Sequence, residues 1–243
     1  MCGAPQDKKS LVSDSGWREA PRLRDMEEFR FGNSTLQVEG TTVPVAEIAL
    51  SPGDAVYYEH HTMLWKEPNV PLTQMALQNN RSFGGMPYQV LFANGPGRIA
   101  FCRNAPGELV VLPMPAGVEI DVREHAFLVA SHTVGYSFIR IKGLANLLHG
   151  GSGMYIDRFV AQQYPGVLML HGHGDVLQRT LGRGERIMVE AGKFLYKDAS
   201  VQMNTVPVEG ISFGLFGRKL YMAEMVGPGR VGIQSMYNHG ISE

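Results

Sequence analysis

The chain has 243 residues, 44% of them hydrophobic, which suits one large β domain with an ordinary core. Its 22 Lys and Arg face 23 Asp and Glu, a formal net charge of −1, so no broad positive field is available to hold a nucleic-acid backbone. Two cysteines, Cys2 and Cys102, supply no disulfide framework or thiolate metal site, and the polar start and short apolar runs read as neither an export signal nor a membrane span.

Residues 1–30 form a charged leader, expected as a flexible arm or as a short helix around Trp17 and "RLRDMEEF". Residues 31–243 read as a single β domain in three units, approximately 36–105, 106–172 and 173–236. In the first unit, "SPGDAVYYEHHTMLWK" runs from a turn at Gly53 through Val56 and Tyr58 to the pair Met63-Leu64. A polar insertion, "QNNRSFGGMPY", is followed by "NGPGRIAFCRN", a Pro-Gly turn at Gly97 that opens a β-prone run. In the second unit, "PAGVEIDVREHAFLVA" repeats the plan with Gly117, Ile120, Val122 and Phe127-Leu128. The insertion "GLANLLHGGSGMY" then leads to "QYPGVLMLHGH", which turns at Gly166. In the third unit, "GRGERIMVEAGKFLYK" carries Gly184, Ile187, Val189 and Phe194-Leu195. "GISFGLFGRKLY" and "VGPGRVGIQSM", turning at Gly229, complete it.

The three glycine-led segments align without gaps on Gly53, Gly117 and Gly184. Alternation with period two puts one set of side chains on the buried face of a strand, and the glycine ahead of it takes a positive-φ turn cheaply. Units of this length, so dense in turns, favour hairpins over crossover helices. The expected fold is all-β, of the double-stranded β-helix or sandwich type, built from three tandem repeats with pseudo-threefold symmetry.

Three clusters could carry chemistry. Glu59, His60 and His61 align with Arg123, Glu124 and His125 and with Glu190, Ala191 and Gly192. The acid and the histidine drift while the flanking apolar positions stay, so the trio is expected on a solvated bend rather than at a reaction centre. His171 and His173 of "HGHG" share a strand side and could hold a zinc or iron ion if His61 or His125 joined them. Without a companion ligand at cupin spacing, the expected reading is a partly exposed turn, with no cofactor. The insertions carry Leu144, Leu147, Leu148, Phe213, Leu215 and Phe216 beside glycines. Those side chains either project to meet a subunit, a protein partner or a membrane surface, or fold under to plug the core. "GPGRVG" matches a dinucleotide fingerprint only in letters, since too little chain follows it for a βαβ unit. No nucleophile elbow or phosphate-binding loop is present.

With "LQVEG", "LSPGDAVYYEHHTMLW", "GPGRIAF", "HGDVLQRTLGRGERIMVEAGKFLY" and "GPGRVGIQSM" in one chain, the sequence resembles the altered-inheritance-of-mitochondria number twenty-four family. These proteins are also described as tryptophan-attenuator-like, and it is their bacterial-type members that this chain resembles. The resemblance runs from about Leu36 to Met236. It implies a double-stranded β-helix with approximate threefold symmetry and a homotrimer, and brings no catalytic activity or cofactor. Eukaryotic members are linked to mitochondrial organisation. This chain departs from the pattern in its polar first insertion and its longer charged leader. A likeness of fold to attenuator proteins does not transfer RNA binding.

The expectation is therefore a non-enzymatic, cytoplasmic scaffold or binding protein that self-associates, as a trimer for preference, and presents its loops to a protein or membrane surface. The alternative is a metal-dependent, cupin-like enzyme built on His171 and His173. RNA binding is disfavoured by the charge balance, and no DNA partner is expected.

Overall fold

Short β-prone runs punctuated by glycine turns should give many strands and little else, and they do. The computed structural model describes residues 12–23, 26–76, 82–83, 86–87, 89–141, 154–213 and 218–236. The leader contributes β1 (Arg18–Glu19). Then follow β2 (Glu28–Phe31), β3 (Ser34–Glu39), β4 (Val45–Leu50), β5 (Ala55–Glu59), β6 (Met63–Lys66), β7 (Leu72–Gln74), β8 (Ser82–Phe83), β9 (Met86–Pro87), β10 (Val90–Asn94) and β11 (Gly97–Phe101). The middle of the chain forms β12 (Gly107–Met114), β13 (Glu119–Arg123), β14 (Phe127–Ser131), β15 (Val134–Ile141), β16 (Met154–Ala161) and β17 (Gly166–His173). The last third forms β18 (Val176–Leu181), β19 (Arg186–Val189), β20 (Phe194–Asp198), β21 (Gln202–Phe213), β22 (Arg218–Val226) and β23 (Gly229–Gln234). The fold is all-β, and no helix among the described residues is long and apolar enough to cross a membrane.

Gly53, Gly117 and Gly184 turn at φ of 86°, 86° and 74°, each with open space where a Cβ would stand. Only their backbone conformation calls for glycine, as a turn entering a strand requires. Gly97 and Gly229 also have positive φ, at 140° and 136°, and open β11 and β23. Gly166 opens β17 and is held to glycine by crowding instead: a Cβ there would sit 2.4 Å from the Ser131 hydroxyl.

Two large antiparallel sheets run in the orders β1-β18-β23-β20-β13-β16-β15 and β12-β17-β14-β5-β10-β7. A five-stranded sheet, β2-β3-β4-β11-β6, ends on β6, and a three-stranded sheet, β19-β22-β21, ends on β19. The register carries a regularity. In β5 and β14, Val56 faces Ser131, Tyr57 faces Ala130 and Tyr58 faces Val129. In β13 and β20, Ile120 faces Asp198, Asp121 faces Lys197 and Val122 faces Tyr196. Counted from the glycine ahead of each strand, these are the same three pairs of positions. The ladders β6–β11, β14–β17 and β20–β23 each carry a bulge that skips the leucine of the large apolar pair, Leu64, Leu128 and Leu195. A bulge leaves its extra residue out of the ladder and bends the strand.

Strict alternation understates the burial of β5. Val56 and Tyr58 pack in one apolar cluster with Leu36, Ile48 and Phe101, while Tyr57 packs in another with Phe127, Phe159 and Leu168. The strand is a wall shared by two cores, so both of its faces are dry. Each fully buried side chain of this size contributes about 1.5–3 kcal/mol. A third cluster gathers Ile156, Leu181, Phe194, Met225 and Val231.

One expectation changes, and another falls largely outside the described residues. In the leader, Arg18–Glu19 is neither helix nor free arm: it pairs with β18, and Arg22 bridges to Val110, covering sheet edges that would otherwise be open. Phe213 closes the backbone of β21, whereas Leu144, Leu147, Leu148, Leu215 and Phe216 lie outside the described residues.

Candidate functional site

The strands deliver polar side chains to one cavity of about 340 Å³. Glu59 is the last residue of β5 and leads into a 3-10 corner, His60–Thr62, which turns His61 toward the cavity. Arg103 and Asn104 follow the end of β11. Arg123 stands at the end of β13, Glu124 and His125 in the turn after it, and His171 and His173 on β17. Gln234, the last residue of β23, closes the lining from the third unit.

Glu59 overturns the expectation of a solvated bend. His60 and His61 are exposed, but Glu59 is only 1% exposed. A buried carboxylate persists only if paired, and Glu59 has three cationic or protonatable neighbours. Arg103 Nη2 donates to its Oε2 at 2.5 Å and to the Phe127 carbonyl at 2.7 Å. His125 Nδ1 lies 3.3 Å from Oε1, and His61 Nε2 lies 3.5 Å from Oε2. Burial alone would raise the carboxyl, but the His125 hydrogen bond and the Arg103, His61 and His125 charges outweigh it and hold Glu59 down at about 2. His125 reaches this carboxylate from a left-handed backbone, φ 65°, an uncommon conformation for a residue with a Cβ.

Two imidazoles have their tautomers set by their partners. A guanidinium can only donate, so Arg103 Nη1, 3.1 Å from His61 Nε2, leaves the neutral His61 proton on Nδ1. A carbonyl can only accept, so His171 Nε2, 3.1 Å from the Ala105 oxygen, carries that ring's proton. His171 Nδ1 is then a bare lone pair, buried and without a hydrogen-bond partner. Burial, followed by the neighbouring His173 and Arg103, pushes His171 down to about 4 against the upward pull of the Ala105 bond. Burial also lowers His173, with Arg103 and Arg123 adding to the effect, and lowers His61 despite the nearby Glu59. Near neutrality these three rings are uncharged.

Arg123 Nη1 donates to the carbonyls of Ala191 and Gly192 at 3.0 and 2.9 Å. Gln234 Oε1 accepts from the His173 amide, and its Nε2 donates to Gly192. The second unit is thereby tied to the corner of the third, as His125 ties it to Glu59 of the first.

His171 and His173 do share a strand side, their ring centroids 5.2 Å apart. The third ligands considered for them are committed elsewhere, His61 to Arg103 and His125 to Glu59. Among the described residues no group of three or more His, Cys, Asp or Glu has the arrangement of a metal site.

A family model described as mitochondrial biogenesis AIM24 matches residues 36–236. The chain belongs to the AIM24 family. Its fold is similar to the X-ray crystal structure of protein SPYM3_0169 from Streptococcus pyogenes, with a TM-score of 0.66 and 18% sequence identity over 84% of this chain and 94% of that one. No curated protein matches the sequence. The AIM24 match spans every strand end that lines the cavity. Arg103 and Gln234, which sequence reasoning passed over, sit in the last residues of two aligned segments, "GPGRIAFCRN" and "GPGRVGIQSM". The signal was that both segments, like "YPGVLMLHGH", exchange apolar for polar residues at the same place.

Proposed function

We propose that this AIM24 chain is a self-associating scaffold of three tandem β repeats, whose copies join head to tail by completing a sheet that each leaves open. The observation that carries this reading is the matched register of two internal junctions beside two open edges. The glycine-led strand of one unit pairs with the corner-following strand of the next, β5 with β14 and β13 with β20. Among the described residues, β19 pairs only with β22, and β6 pairs only with β11. These are the two strands that a third junction of the same kind would use.

The register of that junction follows from the other two: Ile187 opposite Glu67, Met188 opposite Lys66 and Val189 opposite Trp65. The side chains support it. Leu64 and Trp65 on β6 are 51% and 39% exposed, and Met188 on β19 is 46% exposed. Open apolar edges invite another strand unless a protein blocks them. A patch complementary to a different patch on the same chain gives a head-to-tail contact, which closes into a ring when the rotation allows. The family resemblance favours a trimer.

Light scattering coupled to size-exclusion chromatography tests the reading. A particle of three chain masses at micromolar concentration is the expected result. A monomer throughout that range removes the proposal.

A further inference from the structure

We propose that Glu190 of one copy accepts a hydrogen bond from His61 of the next, so that a neighbouring chain supplies a carboxylate to the His61 corner. This rests on the β6–β19 junction proposed above and names the side-chain contact that holds it in register.

Glu59, Arg123 and Glu190 each stand six residues after a turn glycine, Gly53, Gly117 and Gly184. At both internal junctions the side chain at this position reaches the corner of the following unit. Glu59 Oε1 lies 3.3 Å from His125 Nδ1, and Arg123 Nη1 donates to the carbonyls of Ala191 and Gly192 at 3.0 and 2.9 Å. His125 and Gly192 each stand eight residues after their own glycine, and His61 holds that place in the first unit. A β6–β19 junction therefore brings Glu190 to the corner His60–His61 of the next copy.

The chemistry of the three corners agrees with this pairing. Where the strand ends on an acid, at Glu59, the facing corner offers an imidazole. Where it ends on Arg123, the facing corner has Ala191 and Gly192 in place of histidines and offers carbonyl oxygens. Glu190 is an acid again, and the corner it would face carries His60 and His61. Its backbone matches that of Glu59: φ −60° and ψ 128° against φ −72° and ψ 128°, each leading into a 3-10 corner.

Both partners are open to such a contact. The Glu190 side chain is exposed and has no hydrogen bond or ion pair among the described residues. The His61 side chain is 46% exposed, and its Nε2 is turned to Arg103 and Glu59. The neutral ring's proton is then on Nδ1, which has no acceptor among the described residues. A carboxylate can only accept, so it suits that N–H. A strand slipped by one residue would turn Glu190 to the other face of the sheet, so the contact discriminates the paired register from its neighbours.

Sedimentation equilibrium of the full chain at neutral pH tests the contact. Glu190→Arg sets a cation against a corner already backed by Arg103 and should weaken assembly at least about fivefold, with the circular dichroism of the chain unchanged. Adding His60→Ala and His61→Gly to Glu190→Arg recreates the arginine-to-carbonyl junction that Arg123 makes and should recover most of that loss. A wild-type chain that stays monomeric removes the self-association and this contact with it. An oligomer indifferent to Glu190→Arg, or one weakened by it that the corner exchange does not restore, removes the contact and leaves the self-association standing. Should the exchanged corner not fold, a double-mutant cycle of Glu190→Ala and His61→Ala replaces it. Each single change should weaken assembly about threefold and the pair no more than either alone. Absent or fully additive losses overturn the proposal.

Discussion

Asp121 and Lys197 form a buried ion pair across the junction of β13 and β20, Nζ to Oδ2 at 2.7 Å, between residues directly opposed in the ladder. Arg158 completes it, bonding both carboxylate oxygens at 2.8 and 3.1 Å. At the open edges the same two positions are Met188 and Lys66, so a lysine already waits there for a partner. Met188→Asp should therefore preserve or tighten the assembly. Met188→Lys sets like charges face to face and should weaken it by at least about tenfold, roughly 1.4 kcal/mol. Adding Lys66→Glu to Met188→Lys should restore it. Sedimentation equilibrium reads all three, and an oligomer indifferent to the charge at position 188 would refute the register.

Glu59 and Arg103 make a second prediction, about the core rather than the assembly. Glu59→Gln leaves the Arg103 guanidinium, 11% exposed, without its counter-charge. Breaking one half of a buried pair costs about 3–5 kcal/mol, whereas replacing both halves by apolar groups is close to neutral. Urea unfolding should show that loss for Glu59→Gln and recovery of most of it in Glu59→Leu with Arg103→Met. Equal losses in the single and double variants would mean that the pair is not the reason for the burial.

Acid should lower the stability of the protein through two successive pH windows. His171 has its folded-state pKa depressed to about 4 from an ordinary 6.5, chiefly by burial, so the folded state disfavours its charged form. Its contribution is fully present above about 6.5 and is lost as pH falls toward 4, in total on the order of 3 kcal/mol. His61 and His173 are depressed too and act with the same sign. Glu59, held at about 2 against an ordinary 4.5, adds a second loss between those values. Stability measured by urea at successive pH values should fall through the first window in wild type and fall less in His171→Leu. Identical slopes would show that His171 is not the sensor.

Architecture was legible because it is written in local, repeated terms. Glycine conformation, period-two apolar positions and the Met63-Leu64, Phe127-Leu128 and Phe194-Leu195 pairs each depend on a few neighbouring residues, and the structure uses all of them. The cavity was less legible because its parts are distant in sequence. Glu59 reads as a bend residue until Arg103, 44 positions away, is seen against it. His171 and His173 were found from their spacing, but their partners Ala105 and Gln234 lie 66 and 61 positions away. Within the leader, Arg18–Glu19 was missed for another reason: β1 has little strand character of its own and is ordered by the edge of β18.

The three bulge leucines give the last prediction. Leu128 of the second unit packs into the cluster built around Leu36 and Ile48 of the first, and Leu195 of the third packs into the cluster around Ile120 and Val122 of the second. Both are 0% exposed, and both reach the core of the preceding unit. Leu64 holds the same position in the first unit and is 51% exposed. Leu128→Ala and Leu195→Ala should each destabilise the monomeric fold by about 2–5 kcal/mol, the usual cost of a core cavity. Leu64→Ala should leave that stability within about 0.5 kcal/mol of wild type and shift the association equilibrium instead. Urea unfolding and sedimentation on the same three variants separate the two effects. If Leu64→Ala unfolds early and assembles normally, its side chain serves its own copy and not a neighbour.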